Sequence, residues 1–222
     1  MSKRYRLVIF DWEGTLGDTL GQILNNVAAE ARRLDFGDMD EQLARQYVDL
    51  GLVKAVQKVF PHLSPKQHQE LLFAVQQSVV ARQAEVILLP GARRIIEYLH
   101  NHHVDMAIAT NKGQQSLLRA LQHSGLDRFF KVTRSAGQTA PKPSPQMLEE
   151  ILVELAIPVE DALMVGDSVT DIEMANSIGM DAVGVDFYRQ QRHALKNAGA
   201  LDVFDDYEAF AKFMCLPEGK ED

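Results

Sequence analysis

The sequence predicts an α/β protein, in which a parallel sheet is covered by helices and a helical domain is inserted into the chain. Three observations predict it. Short, continuously apolar runs alternate with helix-like periods, each run is followed by polar residues or glycine, and the segment from about Asp18 to Leu88 has helical spacing throughout. Continuously apolar strands are typical of a parallel sheet that is buried on both faces.

Five runs are predicted as strands because each is short and apolar and ends at a polar residue or glycine. They are Leu7–Phe10, Met106–Ala109, Leu163–Val165, Ala182–Val185 and Leu201–Phe204. Helical periods between and after these runs predict helices over Ala92–His100, Gln114–His123, Pro145–Leu155, Thr170–Ile178 and Asp206–Met214.

The inserted segment predicts helices near 18–34, 40–59 and 65–85, with breaks at Gly37 and at Pro61 and Pro65. A crossover loop of that length is not expected inside a compact domain. We therefore predict a sheet domain built from residues 1–17 and 89–222, and a second, helical domain over residues 18–88. The alternative is that these helices pack flat on the sheet.

Composition excludes several classes of protein. No apolar run approaches the roughly 18–20 residues of a membrane span, and the first residues do not resemble a secretory signal, so we expect no membrane partner and a cytoplasmic location. The single cysteine, Cys215, excludes an internal disulfide framework. The net charge of −8 argues against a nucleic-acid partner, but it allows an anionic substrate where a metal ion reverses the local field.

Polar residues follow three of the predicted strands, and in an open α/β sheet such strand ends form the ligand-binding crevice. The residues expected to converge there are Asp11, Glu13, Thr110, Asn111, Asp167 and Asp171. Three carboxylates make an oxygen site of the kind that Mg²⁺ prefers. Lys142 lies in a proline-flanked loop before a helix, where positive charge is expected to attract an anion. Together these groups indicate a phosphoryl site, in which a carboxylate can serve as the nucleophile.

Four segments carry a more specific pattern, and they occur in the order Phe10–Leu16, Ile108–Asn111, Lys142-Pro143 and Gly166–Asp171. In this order they resemble the four motifs of the haloacid dehalogenase-like hydrolase superfamily, over nearly the whole chain. The resemblance implies a Rossmann-like core. The helical insert is similar to the α-helical cap of the subfamily that includes phosphoglycolate phosphatases and β-phosphoglucomutases.

The resemblance also implies a role for each site residue. Asp11 would be the nucleophile, and Glu13 would hold the position of the acid and base. Mg²⁺ would be bound by Asp11, the main-chain carbonyl of Glu13 and Asp167, with Asp171 supporting the metal shell. Thr110 and Asn111 would bind the phosphoryl group, and Lys142 would neutralise both Asp11 and the phosphate. The implied activity is a Mg²⁺-dependent phosphatase that acts on a small phosphomonoester such as phosphoglycolate through an aspartyl-phosphate, as a monomer or homodimer.

Position 13 departs from the family pattern, because the family's phosphatases have Asp there and this chain has Glu. The longer side chain adds roughly 1.3–1.5 Å of reach. Two alternatives therefore stay open beside the phosphatase: a phosphomutase of the β-phosphoglucomutase type, and a low-turnover or non-catalytic binding protein of the same fold. Inside the insert, Tyr47–Lys54 is similar to the specificity loop of helical caps, with Gly51 and Lys54 as candidate substrate contacts.

Overall fold

The computed structural model describes residues 5–40, 43–44, 47, 52–81 and 86–214. The chain forms two compact units, one composed of Met1–Asp18 with Leu88–Asp222 and the other of Thr19–Ile87. Among the described residues, no helix combines the length and the apolar character that a membrane crossing requires.

The second unit is helical where it is described. Its helices are α1 (Thr19–Arg33), α2 (Leu52–Val59) and α3 (Pro65–Ala81). They share an apolar core of Val27, Ala31, Val56, Phe60, Leu63, Leu71 and Val75. Much of the helix predicted near 40–59 lies outside the described residues, as do residues 82–85 of the third predicted helix and Val48–Gly51 of the candidate cap loop.

In the first unit, the described residues form six strands: β1 (Leu7–Phe10), β2 (Asp105–Gly113), β3 (Val132–Ala136), β4 (Ala162–Gly166), β5 (Asp181–Val185) and β6 (Val203–Phe204). They form one sheet in the order β3-β2-β1-β4-β5-β6, and every pair of neighbouring strands is parallel. This parallel sheet confirms the predicted α/β fold class.

The helices of this unit are α4 (Ala92–Asn101), α5 (Gln114–Ser124), α6 (Gln146–Leu155), α7 (Val169–Asn176), α8 (Arg192–Asn197) and α9 (Tyr207–Met214). Each of them overlaps a predicted helix except α8. The bounds differ from the predicted ones by a few residues at most, since helix ends are the least distinctive part of a helical period.

Strand β3 was not predicted. Its sequence is VTRSA, and only the side chains of Val132 and Ser135 are buried. It lies at the edge of the sheet, where it needs no continuously apolar run. The apolar-run criterion recognises strands that are buried on both faces, so it misses an edge strand of this composition.

The central strand β1 determines where the site lies. All four of its residues are fully buried, and Phe10 is in register with Ile108 of β2 and with Val165 of β4. Because the three strands are parallel and in register, their carboxyl ends lie side by side. The residues that follow them therefore meet at one edge of the sheet.

We predict that Val183→Ala lowers the free energy of unfolding by about 1.5–3 kcal/mol, because it removes two buried methyl groups and leaves a cavity in β5. Val153→Ala is the matched control. Val153 is 81% exposed on α6, and the same substitution should change stability by less than about 0.5 kcal/mol. Urea denaturation measures both, and equal losses in the two variants would contradict the assigned core.

Candidate active site

Three carboxylates meet where β1 and β4 end. Asp11 follows β1 directly, and its backbone N–H donates to the carbonyl oxygen of Val165 in β4 at 2.9 Å. Asp167 follows β4, and Asp171 lies in the first turn of α7. One carboxylate oxygen from each of Asp11, Asp167 and Asp171 lies within 4.8 Å of the other two.

The ammonium group of Lys142 lies among these carboxylates. Its Nζ atom is 2.7 Å from Asp11 Oδ1 and 2.6 Å from Asp171 Oδ1, and its side chain is almost entirely buried. Burial alone would lower the pKa of Lys142, but the Asp11 and Asp171 carboxylates raise it above its ordinary value. Lys142 therefore stays charged in the interior and holds the two acids together.

Asn111 fixes the loop that carries this lysine. Its side-chain oxygen accepts a hydrogen bond of 2.9 Å from the backbone N–H of Lys142. Thr110, at the end of the regular part of β2, is buried, and its Oγ1 accepts from the backbone N–H of Lys112 at 3.2 Å. The structure thus places both residues at the sheet edge that carries the acids, and it gives Asn111 a contact that the motif analysis had not assigned to it.

Asp171 is fully buried, and both of its oxygens accept hydrogen bonds. Oδ1 accepts from Lys142, while Oδ2 accepts from the hydroxyl of Ser168 at 2.7 Å and from its backbone N–H at 3.1 Å. Ser168 and Asp171 form a capping box at the start of α7. The Ser-x-x-Asp spacing is a readable signal for such a cap, and the motif analysis did not use it.

Two carboxyls in this cluster hold their protons more tightly than free carboxyls do. Burial raises the pKa of Asp167 to about 8, and the charges of Asp11 and Asp171 add to the rise. Burial raises the pKa of Asp11 to about 6, although Lys142 opposes the rise. A divalent cation would relieve both the desolvation and the mutual repulsion. The oxygen donors of Asp11 and Asp167 therefore fit Mg²⁺.

Two glycines make room for these acids. Gly14 has φ +71°, and a Cβ atom on it would lie 2.0 Å from Asp167 Oδ2. A Cβ atom on Gly166 would lie 2.3 Å from Asp171 Cγ. Any larger residue at either position would displace a carboxylate of the cluster.

The loop after β1 is closed by backbone hydrogen bonds. The N–H groups of Leu16 and Gly17 both donate to the carbonyl oxygen of Trp12, at 2.9 and 2.8 Å. The hydroxyl of Tyr207, in α9, donates to the carbonyl oxygen of Thr15. Sequence reasoning missed Tyr207, because no spacing connects a residue near the end of the chain to a loop near its beginning.

Glu13 pairs with Lys112. The Lys112 ammonium contacts Glu13 Oε1, and Glu13 Oε2 is buried with no hydrogen-bond partner among the described residues. The motifs include Glu13 but not Lys112, which follows the second motif directly.

Several polar side chains outside the acid cluster have partners of their own. Arg134 of β3 pairs with Glu150 at 2.6 Å and with Glu154 at 2.5 Å, both on α6. The ring of His100 packs edge-on against Phe129, and His102 bonds the carbonyl of Tyr98. Arg134 thus forms surface ion pairs, and the two histidines lie at the end of a helix. Lys54 is exposed on α2 in the helical unit.

Comparison with known proteins identifies the family. The family of haloacid dehalogenase-like hydrolases matches residues 8–185. The phosphoglycolate phosphatase of Rhodospirillum rubrum is 27% identical over 223 residues, which cover 96% of this chain and 92% of that protein. A crystal structure of a family hydrolase from Deinococcus radiodurans, with bound phosphate and sodium, has a TM-score of 0.73 at 20% identity and covers 96% of this chain and 97% of its own.

A second solved structure, from Thermotoga maritima and provisionally named a β-phosphoglucomutase, has a TM-score of 0.67 at 22% identity, with 93% of this chain and 98% of that chain covered. At these identities, the likeness to both solved structures shows the fold alone.

The raised pKa values of the acids predict a pH-dependent effect of Mg²⁺ on stability. After removal of divalent ions with EDTA, Tm should fall as the pH rises from 6 to 8, because the Asp11 and Asp167 carboxyls bind protons more tightly in the folded chain and lose them over this range. Mg²⁺ binds ionised carboxylates, so Mg²⁺ added to about 5 mM should raise Tm more at pH 8 than at pH 6.

Thermal unfolding at the two pH values, with and without Mg²⁺, measures this effect. Asp167→Asn is the control, since it lacks the carboxyl with the higher pKa and should lose most of the Mg²⁺-dependent rise. An equal rise in Tm at both pH values would contradict the assigned acid cluster.

Proposed function

We propose that this chain, which belongs to the haloacid dehalogenase-like hydrolases and is a phosphatase of that family, hydrolyses a small phosphomonoester. The proposed reaction uses Mg²⁺ and passes through an aspartyl-phosphate on Asp11. The observation that carries this proposal is the buried carboxylate of Asp11, held at 2.7 Å by the Lys142 ammonium and next to a second acid, Asp167, at the edge of a parallel sheet.

In the first step, a carboxylate oxygen of Asp11 attacks the phosphorus atom, and the ester P–O bond breaks. Glu13 gives its proton to the departing oxygen, so that the product leaves as an alcohol. The hydroxyl of Thr110 and the side-chain amide of Asn111 donate hydrogen bonds to the phosphoryl oxygens. The ammonium of Lys142 offsets the negative charge that gathers on Asp11 and the phosphoryl group.

In the second step, Glu13, now ionised, takes a proton from a water molecule that attacks the same phosphorus atom. The bond between phosphorus and Asp11 breaks, inorganic phosphate leaves, and Asp11 is restored as a carboxylate. Asp11, Asp167 and the main-chain carbonyl of Glu13 would hold Mg²⁺, with Asp171 supporting them through Lys142 and Ser168. When bound, Mg²⁺ supplies positive charge that screens the repulsion between a carboxylate and a phosphate.

We propose phosphoglycolate as the first substrate to test for phosphate release. The support is the printed name of the Rhodospirillum rubrum relative, which matches this chain over most of both lengths. We also propose that the helical segment over residues 18–88 acts as the cap that selects the substrate, with Gly51 and Lys54 as contacts. Gly51 lies outside the described residues.

The phosphomutase stays a second candidate, because it would use the same residues and because a fold relative carries that name. The two functions differ in their products: a phosphatase releases inorganic phosphate from a hexose phosphate, whereas a mutase returns an isomeric hexose phosphate. The low-turnover binding protein rests on Glu13 alone, and it predicts no phosphate release from any metabolite in a panel screened with Mg²⁺.

We predict that Asp11→Asn lowers the rate of Mg²⁺-dependent phosphate release by about a thousandfold or more, because the amide is not a nucleophile. Asp105→Asn is the matched control. Asp105 lies at the opposite end of β2, where it pairs with Lys131 at 2.7 Å, so this variant should keep the wild-type rate. The measurement is phosphate release from phosphoglycolate and from a panel of phosphomonoesters. A fully active Asp11→Asn variant would overturn the mechanism.

A further inference from the structure

We infer that Lys112 is a positioning residue for Glu13: it holds the longer acid in the place where the reaction needs it. The inference rests on the proposed function, because it gives Glu13 the role of acid and base. Lys112 lies outside the four motifs. Its proposed role explains how a site with Glu at position 13 can keep the carboxyl group aligned with the leaving group.

The contact itself is the first support. Lys112 Nζ contacts Glu13 Oε1, so one oxygen of the carboxylate is held by an ammonium group. Glu13 Oε2 is buried and accepts no hydrogen bond from the described residues. The carboxylate is thus fixed through one oxygen, and the other is left to exchange a proton with the leaving group or with water.

The local backbone is the second support. Thr110 of β2 is in register with Ser135 of β3, but the next aligned pair is Gly113 with Ala136, so the register shifts across Asn111 and Lys112. The N–H of Lys112 donates to the side chain of Thr110. Such irregularities redirect side chains at strand ends. Here the shift accompanies a side chain that reaches Glu13, which lies 99 positions away in the sequence.

The length of Glu13 explains why a partner is needed. Glu has one more rotatable bond than Asp, so its carboxylate reaches farther and has more orientations. An error of about 1 Å in the placement of a catalytic group can cost about a hundredfold in rate. An ammonium that binds one oxygen removes much of this freedom.

A purely structural role accounts less well for the pair. The Lys112 side chain is 23% exposed and that of Glu13 is 34% exposed, and ion pairs at such exposure contribute little to stability. A third possibility is that Lys112 binds an anionic part of the substrate directly. These three roles predict different kinetics.

The kinetic test uses ethyl phosphate and p-nitrophenyl phosphate, two esters in which the group bound to the phosphate carries no charge of its own. Lys112→Met should lower kcat for ethyl phosphate by about ten- to hundredfold with little change in KM, because ethoxide is a poor leaving group that needs an aligned acid. The loss should be smaller for p-nitrophenyl phosphate, whose leaving group needs no proton. Lys131→Met, which removes the lysine paired with Asp105 at the other end of the sheet, should change neither constant.

Non-additivity separates positioning from substrate binding. In a Glu13→Gln background, Lys112→Met should cause no further loss of kcat for p-nitrophenyl phosphate, because no carboxylate is left to position. An equal loss in both backgrounds, or a rise in KM with kcat unchanged, would overturn the inference. So would a loss of kcat in Lys112→Met that is seen only at temperatures at which this variant is unfolded.

A readout without turnover separates this inference from the proposed function. In substrate-free protein, the ¹H–¹⁵N NMR signal of the Lys112 ammonium, assigned from its loss in Lys112→Met, should shift in Glu13→Gln and stay in place in Asp105→Asn. If the signal shifts and the wild type releases no phosphate from any ester, the contact stands and the proposed function fails. An unshifted signal overturns the positioning role, whatever the activity.

Discussion

Lys142, whose buried side chain is charged, joins three segments of the site. Its Nζ atom lies 2.7 Å from Asp11 after β1 and 2.6 Å from Asp171 in α7, and its backbone N–H donates to the side chain of Asn111 near the end of β2. Without this charge, two buried carboxylates would repel each other in a region with little water. Removal of one partner from a buried ion pair costs about 3–5 kcal/mol, because a charge is left without compensation. Replacement of a buried ion pair by apolar residues is often neutral or stabilising, so these charges point to chemistry rather than to stability.

The sheet could be predicted from the sequence because its strands are buried on both faces. Leu7–Phe10 was predicted with its observed bounds, and the polar residues after the apolar runs lie at one edge, as the parallel topology requires. Strand β3 could not be predicted in this way, because Thr133 and Arg134 give it a mixed, edge-strand composition. The family resemblance is confirmed by the match over residues 8–185, whereas the roles of the individual site residues stay predictions.

Within the site, the sequence could not predict the contacts between residues that are far apart in the chain. The spacing of Ser168 and Asp171 does predict a helix cap, but only the fold shows that the other oxygen of Asp171 binds Lys142. The pairing of Lys112 with Glu13 depends on a register shift near the end of β2, which no apolar pattern encodes. Position 13, the one departure from the family motif, thus has a partner that appears only once the chain is folded.

The proposed mechanism requires Asp11 to carry the phosphoryl group during turnover. Acid quenching of the enzyme during turnover with Mg²⁺, followed by borohydride reduction, converts an aspartyl-phosphate into homoserine, and peptide mass spectrometry then locates the modified residue. This mechanism predicts homoserine at position 11 in the wild type. Phosphate release with position 11 unmodified, or with homoserine at Asp167 or Asp171 instead, would contradict it.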